Sequence, residues 1–114
     1  MSKIKLVVIY PRPKDVDAFE KAYIGEHVPM AVEKLKGKTK IVTTKTIASP
    51  QGPAPFYRIA EVHFPSRQVL DECLNSEGGK ETAAHAVAIS NGGPPIFLIA
   101  EEETFVFDSA ASGH

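Results

Sequence analysis

The apolar segment near the start of the chain places the strongest constraint on the fold. Residues 3–10 alternate as a β-strand would, with Leu6 and Val8 on one face and Val7 on the other. Because apolar side chains occupy both faces, both faces of the sheet that holds this strand must be covered. Pro11 ends the predicted strand, since proline has no amide hydrogen to donate to a neighbouring strand.

A helix is predicted directly after this strand. Asp15 is a candidate N-cap, and apolar residues follow it at helical spacing. Pro29 lacks an amide hydrogen and disfavours the helical region for Val28, which predicts a break or kink near residues 25–29 before a short continuation to residue 35. Gly37 is a candidate C-terminal cap.

A second helical region is predicted in the other half of the chain. It opens at residues 65–66, and its buried stripe includes Leu70 and Cys73. The two glycines at 78–79 predict an interruption, followed by a further helical stretch at 80–89.

Three more strands complete the pattern, at residues 40–48, 56–64 and 97–107. The resulting order, β-α-β-β-α-β, predicts an α+β, ferredoxin-like fold with a four-stranded antiparallel sheet. The helices of that fold cover one sheet face, so the apolar open face predicts a homodimer that packs face to face. Residues 1–108 are predicted to form one domain, and 109–114 a flexible tail.

Composition excludes several classes of protein. One cysteine allows no internal disulfide, and a formal net charge of −1 gives no electrostatic footprint for nucleic acid or a membrane surface. The element order also occurs in RNA-binding modules, but those need a basic surround for exposed aromatic residues. The longest early apolar run is far shorter than the roughly 20 residues of a membrane span, and no secretion signal is evident, so a cytoplasmic protein is expected.

One stretch of the sequence resembles a known family. Residues 17–31 resemble the Phe-x-x-x-Tyr-x-x-x-His-x-Pro-Leu signature of the EthD (ethyl tert-butyl ether degradation) family. Segments 64–66, 74–84 and 101–106 also fit, and the resemblance covers roughly residues 3–107.

The resemblance implies a dimeric α+β barrel. The sequence contains no cofactor-binding motif, so no cofactor is expected. The same superfamily includes cofactor-free monooxygenases, lactone isomerases and haem-binding proteins, and some fungal relatives act on polyketides. The family pattern commonly has an acidic residue where this chain has His85.

His27 and Tyr23 are the candidate catalytic residues. They are four residues apart, so they neighbour each other on one helical face. Imidazole titrates near neutral pH and can act as a general acid or base, and a tyrosine hydroxyl can donate to a substrate oxygen. The structural alternatives are a histidine that bonds a carbonyl freed at the helix break, and an ordinary core tyrosine.

Four further residues are candidates for substrate binding, namely Tyr10, Tyr57, Glu61 and His63. Glu61 and His63 are two apart on one strand, so they share a face, which alternation also assigns to Tyr57. If that face meets the helices, the pair lines a pocket; if it meets a second subunit, the pair belongs to an interface. His85 is expected to be a solvated surface residue.

A metal site is not predicted. His27, Glu61 and His63 are the types of residue that form a two-histidine, one-carboxylate set, but no local metal-binding spacing supports one. Cys73 lies in an apolar stripe and is expected to be inert packing.

Two classes of function remain open. The first is a cofactor-free enzyme for oxidation, isomerisation or dehydration of an aromatic or polyketide-like substrate, with His27 as acid or base. The second is a non-catalytic protein that binds a small hydrophobic ligand or assists a neighbouring oxidation system.

Overall fold

A four-stranded sheet and a layer of helices form the protein. The computed structural model describes residues 3–108. Its elements are β1 (Ile4–Pro11), α1 (Val16–Ala22), a π-helical turn (Tyr23–His27), α2 (Val28–Lys34), β2 (Lys40–Lys45), β3 (Phe56–Phe64), α3 (Arg67–Asn75), α4 (Glu77–Ile89) and β4 (Ile96–Glu101).

The strand order is β2-β3-β1-β4, and each neighbouring pair is antiparallel. The predicted α+β, ferredoxin-like fold is therefore confirmed. The predicted tail at 109–114 lies outside the described residues.

The core lies between the helices and one sheet face. Leu6, Val8 and Tyr10 of β1 point to this face and are buried. Their strand partners include Val62 and Ala60 of β3, which share the face because paired residues of neighbouring strands lie on the same side. Buried helical residues complete the core, namely Phe19, Tyr23, Ala31, Leu70, Cys73 and Ala86.

Within residues 3–108, no helix packs against the other sheet face. Val7 of β1 pairs with Glu61 and Leu98, and Ile9 pairs with Ile59. Leu98 keeps 47% of its surface exposed. The sequence predicted that both faces of β1 are covered, but in the single chain only the face against the helices is covered.

The helical backbone continues through the position where a break or kink was predicted, with a π-helical turn at Tyr23–His27. The side chain of Asp15 caps α1 by accepting from the amide of Ala18 at 3.0 Å, as predicted. Val28, however, keeps helical backbone angles (φ −61°, ψ −47°), so its predicted departure from the helical region is wrong. The π-helical turn explains the difference: it adds one residue to a helical turn and changes the register between α1 and α2 without interrupting the helix.

The interruption predicted at residues 78–79 is also misplaced. The helices separate at Ser76, which has extended backbone angles and whose hydroxyl accepts from the amide of Gly79 at 3.0 Å. Helix α4 runs through both glycines. They serve close packing instead, since a Cβ on Gly79 would lie 1.9 Å from the carbonyl oxygen of Cys73, and one on Gly78 would lie 2.7 Å from that of Lys34.

Gly37 is not the C-terminal cap of α2, because that position belongs to Leu35, which has an extended backbone. Gly37 has φ +90° in the turn that follows, and a Cβ there would lie 2.6 Å from Cγ1 of Val69. Only glycine meets both conditions without strain.

Two predicted strands are too long. Strand β2 ends at Lys45 rather than residue 48, and β4 ends at Glu101 rather than residue 107. The remainder, residues 102–107, extends beyond the sheet, and Phe105, Val106 and Phe107 are 78–87% exposed. A strand predicted from β-branched and aromatic composition is therefore too long where no neighbouring strand is available for pairing.

Over residues 3–108, none of the helices is long and apolar enough to cross a membrane.

Candidate functional site

A cavity of about 50 Å³ lies between the sheet and the helices. Its walls are mostly apolar, and they come from all four strands, the π-helical turn, α2, α3 and α4. The side chains with polar atoms on its wall are Tyr10, Tyr23, His27 and Thr82. Thr82 donates its hydroxyl to the carbonyl oxygen of Gly78 at 2.7 Å. The polar atoms that can serve a ligand therefore belong to the two tyrosines and the histidine.

Tyr10 is fully buried, and its hydroxyl has no hydrogen-bond partner among residues 3–108. Burial, with a smaller contribution from the nearby Tyr23, raises the pKa of Tyr10 far above its usual value of 10.0. The hydroxyl is therefore a protonated donor at neutral pH. An unsatisfied buried donor costs about 1–3 kcal/mol, so a ligand oxygen that accepts from it would recover that free energy.

Tyr23, by contrast, already has a partner for its hydroxyl. Its oxygen lies 2.7 Å from Oγ1 of Thr43 on β2. Arg58 lies over the Tyr23 ring at 5.0 Å from its centroid, and it is held by two hydrogen bonds of 2.9 and 2.7 Å to the carboxylate of Glu20. Tyr23 thus meets the cavity with its ring, and its role as a donor to a substrate stays a prediction.

Four rings form a continuous row beside the cavity. Phe19 stacks on Tyr23 with centroids 5.4 Å apart, and Tyr23 stacks on His27 at 5.9 Å. These three residues are spaced by four along one helical face, as the sequence predicted for Tyr23 and His27. The fourth ring, His85 from α4, stacks on His27 at 5.1 Å.

His27 is 8% exposed and reaches the cavity wall. Burial, and then the neighbouring His85, lower the pKa of His27 from 6.5 to about 4. The ring is therefore neutral at pH 7 and can accept a proton. Its Nδ1 lies 2.9 Å from Nδ1 of His85, so its hydrogen bond goes to a second histidine rather than to a backbone carbonyl freed at a helix break.

His85 is not the solvated surface residue that the sequence predicted. Its side chain is 20% exposed, and its Nε2 lies 3.6 Å from Oε1 of Glu26. A signal for this position was present in the sequence. His85 directly precedes Ala86 and follows Thr82 by three, and both of those residues are buried on the inner face of α4.

The remaining candidates do not gather around the cavity. Glu61 and His63 lie on the open sheet face, opposite to His27, with His63 Nε2 3.8 Å from Glu61 Oε1. Lys5 joins them at 3.3 Å from the same Glu61 oxygen. The sequence left two alternatives open for Glu61 and His63, a pocket beneath the helices or a subunit interface. Because the pair lies on the sheet face away from the helices, the single chain excludes the pocket.

Tyr57 does not share that open face, contrary to the expectation from alternation. The pairing between β1 and β3 shifts register between Tyr10 and Pro11, which leaves Tyr57 without a partner in the ladder. Its ring contacts Phe19 of α1 at 5.9 Å between centroids. A bulge of this kind turns a side chain to the other face of the sheet.

No metal-binding cluster of three or more His, Cys, Asp or Glu residues occurs within the part of the chain that the structure describes. Cys73 is buried, and burial raises the pKa of its thiol. A buried thiol with a raised pKa is a poor nucleophile at neutral pH.

No protein-family model matches the sequence. Among curated proteins, the chain is 26% identical over 100 residues to an uncharacterized 11.0 kDa protein of Rhodococcus erythropolis from the thcB–thcC intergenic region, covering 88% of this chain and 95% of that protein.

Solved structures share the fold over most of the chain. An EthD family protein from Bacillus halodurans C-125 has a TM-score of 0.83 and 26% identity, over 89% of this chain and 99% of that one. A dimeric ferredoxin-like protein of unknown function from Jannaschia sp. CCS1 has a TM-score of 0.61 and 13% identity, over 87% and 99%. SnoaB, a cofactor-independent oxygenase from Streptomyces nogalater, has a TM-score of 0.66 and 10% identity, over 95% and 100%.

The fold and the histidine-lined cavity define a ferredoxin-like α+β protein whose solved neighbours include dimeric members. Within that class, the chain is similar to an EthD family protein over most of its length, in agreement with the motif resemblance of residues 17–31.

Proposed function

We propose that the protein binds a small molecule with an apolar body and one carbonyl or hydroxyl oxygen, and that His27 removes a proton from it. One observation carries the proposal: a buried, neutral imidazole and an unpartnered phenol hydroxyl line the same, otherwise apolar cavity. The rings of His27 and Tyr10 are 6.4 Å apart between centroids.

The two residues have complementary tasks in this proposal. Nε2 of His27 accepts a proton from a carbon next to the carbonyl, or from a hydroxyl. The substrate becomes an enolate or phenolate, and its oxygen accepts a hydrogen bond from the hydroxyl of Tyr10. An unpartnered donor in a dry site stabilises a developing anion more strongly than a donor in water does.

The anion has three possible fates that need no bound cofactor. Protonation at a different atom is an isomerisation, and loss of a hydroxyl group as water is a dehydration. Reaction with dioxygen is an oxidation. SnoaB, which shares this fold, is a cofactor-independent oxygenase, and this likeness supports the third route as a candidate.

The size of the cavity limits the first substrates to test. At about 50 Å³ it is smaller than the cavity of about 150 Å³ that holds one benzene. An aromatic or polyketide-like substrate would therefore require the cavity to widen. Phe97 lines the cavity and is 40% exposed, so its ring is the side chain best placed to open it.

Proton exchange tests the proposal directly. The protein is incubated with acetone or cyclohexanone in deuterated buffer at pH 7.5, and the loss of the hydrogen signals next to the carbonyl is followed by NMR. The wild-type protein is expected to exchange them faster than the His27→Gln variant. The His63→Gln variant, changed on the open sheet face, is the matched control and should keep the wild-type rate. Equal rates for wild type and His27→Gln would overturn the proposed role of His27.

A binding protein without turnover is the second candidate. Its supporting observation is that the cavity wall is mostly apolar. Of the polar atoms on that wall, few lack a hydrogen-bond partner among residues 3–108. Such a wall suits retention of a hydrophobic ligand or support of a neighbouring oxidation system. Native mass spectrometry of untagged protein from its own host distinguishes the two: a retained, chemically unchanged adduct favours binding alone.

We further propose that two chains pack through the open sheet face. Half-buried or exposed apolar side chains cover that face, namely Val7, Ile9, Val42, Ile59, Ile96 and Leu98. Residues 105–107, which follow β4, are exposed and supply a second apolar surface. In this arrangement Glu61 and His63 lie at the subunit interface. Dimeric neighbours of the same fold support the proposal.

A further inference from the structure

The contact between His27 and His85 limits the protonation states of both rings. Their Nδ1 atoms are 2.9 Å apart. Between two neutral imidazoles, a hydrogen bond at that distance requires one Nδ1 to carry a hydrogen and the other to be bare. One of the two rings must therefore be the donor, and its own Nε2 is then bare.

Glu26 indicates which ring is the donor. Its Oε1 lies 3.6 Å from Nε2 of His85 and favours a hydrogen at that nitrogen. His85 then has a bare Nδ1, which accepts from Nδ1–H of His27. The carboxylate of Glu26 is 66% exposed, so the contact adds little stability, but it needs only to favour one of two tautomers that are close in energy.

From this arrangement we propose that His85 is a positioning residue, which holds His27 in the Nδ1–H tautomer and leaves the Nε2 lone pair free. The proposal rests on the function proposed above, in which Nε2 of His27 accepts the proton. Among the described residues, Nε2 of His27 has no hydrogen-bond partner of its own.

The tautomer matters because the alternative cannot work as a base at that atom. A neutral imidazole with a hydrogen on Nε2 has no lone pair there to accept a proton. Free histidine in water prefers the Nε2–H form. An unconstrained His27 would therefore be mostly in the inactive form, and the contact with His85 would reverse that preference.

The tautomer can be read in the wild-type protein without any substrate. Nitrogen-15-labelled, full-length protein is examined at pH 7.5 by two-bond hydrogen–nitrogen correlation of the imidazole rings. We expect a protonated Nδ1 and a bare Nε2 for His27. A hydrogen on Nε2 of His27 in the wild-type protein would overturn the proposal, whatever the variants show.

Two variants of His85 separate positioning from packing. In His85→Ala, the acceptor is gone, and His27 should shift towards the Nε2–H form. In His85→Asp, a carboxylate oxygen takes the place of Nδ1 as an acceptor, and the Nδ1–H form should return. His63→Ala, on the open sheet face, is the matched control and should leave the His27 signals unchanged. An unaltered His27 tautomer in His85→Ala would contradict the assignment.

Activity gives an independent reading of the same claim. His85→Ala should lower the acetone exchange rate by about tenfold or more, in line with the effect of removing the outer hydrogen-bond partner of a metal-binding histidine. His85→Asp should restore part of it. If the wild-type tautomer is as expected but His27→Gln exchanges as fast as wild type, the proposed function fails and the role of His85 in setting the tautomer stands.

Discussion

Acidification should destabilise this protein through His27. The folded chain holds the pKa of His27 at about 4, because burial disfavours the charged ring and His85 adds repulsion. In the unfolded chain, the pKa returns to about 6.5. Between those two values the unfolded state binds more protons than the folded state, so the free energy of unfolding falls as the pH falls from about 6.5 towards 4.

The size of the effect follows from the gap between the two pKa values. At about 1.4 kcal/mol for each pKa unit, the full loss is about 3 kcal/mol. Below pH 4 both states are protonated at this residue, and no further loss arises from it.

Urea unfolding at fixed protein concentration measures the effect, at pH 7, 6, 5 and 4. Carboxylates also titrate in this range, so the comparison is with the His27→Gln variant, whose side chain does not titrate. The wild-type protein should lose about 3 kcal/mol more than the variant over this interval. Parallel pH profiles for wild type and His27→Gln would refute the reasoning.

Three further predictions concern other parts of the structure. Glu20→Ala should lower the free energy of unfolding by about 3 kcal/mol in urea titrations, because it leaves the buried Arg58 guanidinium without its carboxylate; a loss below about 1 kcal/mol would show that water replaces the pair. Phe97→Ala should strengthen cyclohexanone binding by NMR titration, because Phe97 forms part of the cavity wall, while acetone binding changes little. Serine at all three of residues 105–107 should weaken dimer formation in sedimentation equilibrium, and an unchanged dimer would exclude that segment from the interface.

Much of the fold was predictable because hydrophobic periodicity records it directly. The apolar residues on both faces of residues 3–10 predicted that both faces are covered; helices cover one face, and the other is open in the single chain. The errors arose where one residue type serves two purposes. Gly78 and Gly79 in the sequence predict a helix break, whereas in the structure both permit close approach of neighbouring backbone carbonyls. That distinction depends on tertiary neighbours, which a single sequence does not show.

The candidate site was only partly predictable. Spacing by four brought Tyr23 and His27 together correctly, since helical geometry alone fixes that contact. The contact between His27 and His85 depends on how α4 packs on the π-helical turn, so local spacing did not reveal it. The unpartnered hydroxyl of Tyr10 likewise becomes apparent only when the whole core is assembled. A cytoplasmic location and a reaction without cofactor stay predictions.

The Tyr10→Phe variant provides the most direct test of the central claim, that Tyr10 holds a ligand oxygen beside His27. The substitution removes one buried, unpartnered hydroxyl and keeps the ring. The account predicts that the free energy of unfolding without ligand rises by about 1 kcal/mol, while acetone binding, measured by NMR titration, weakens by about tenfold. A variant that is less stable than wild type and binds acetone equally well would contradict the account.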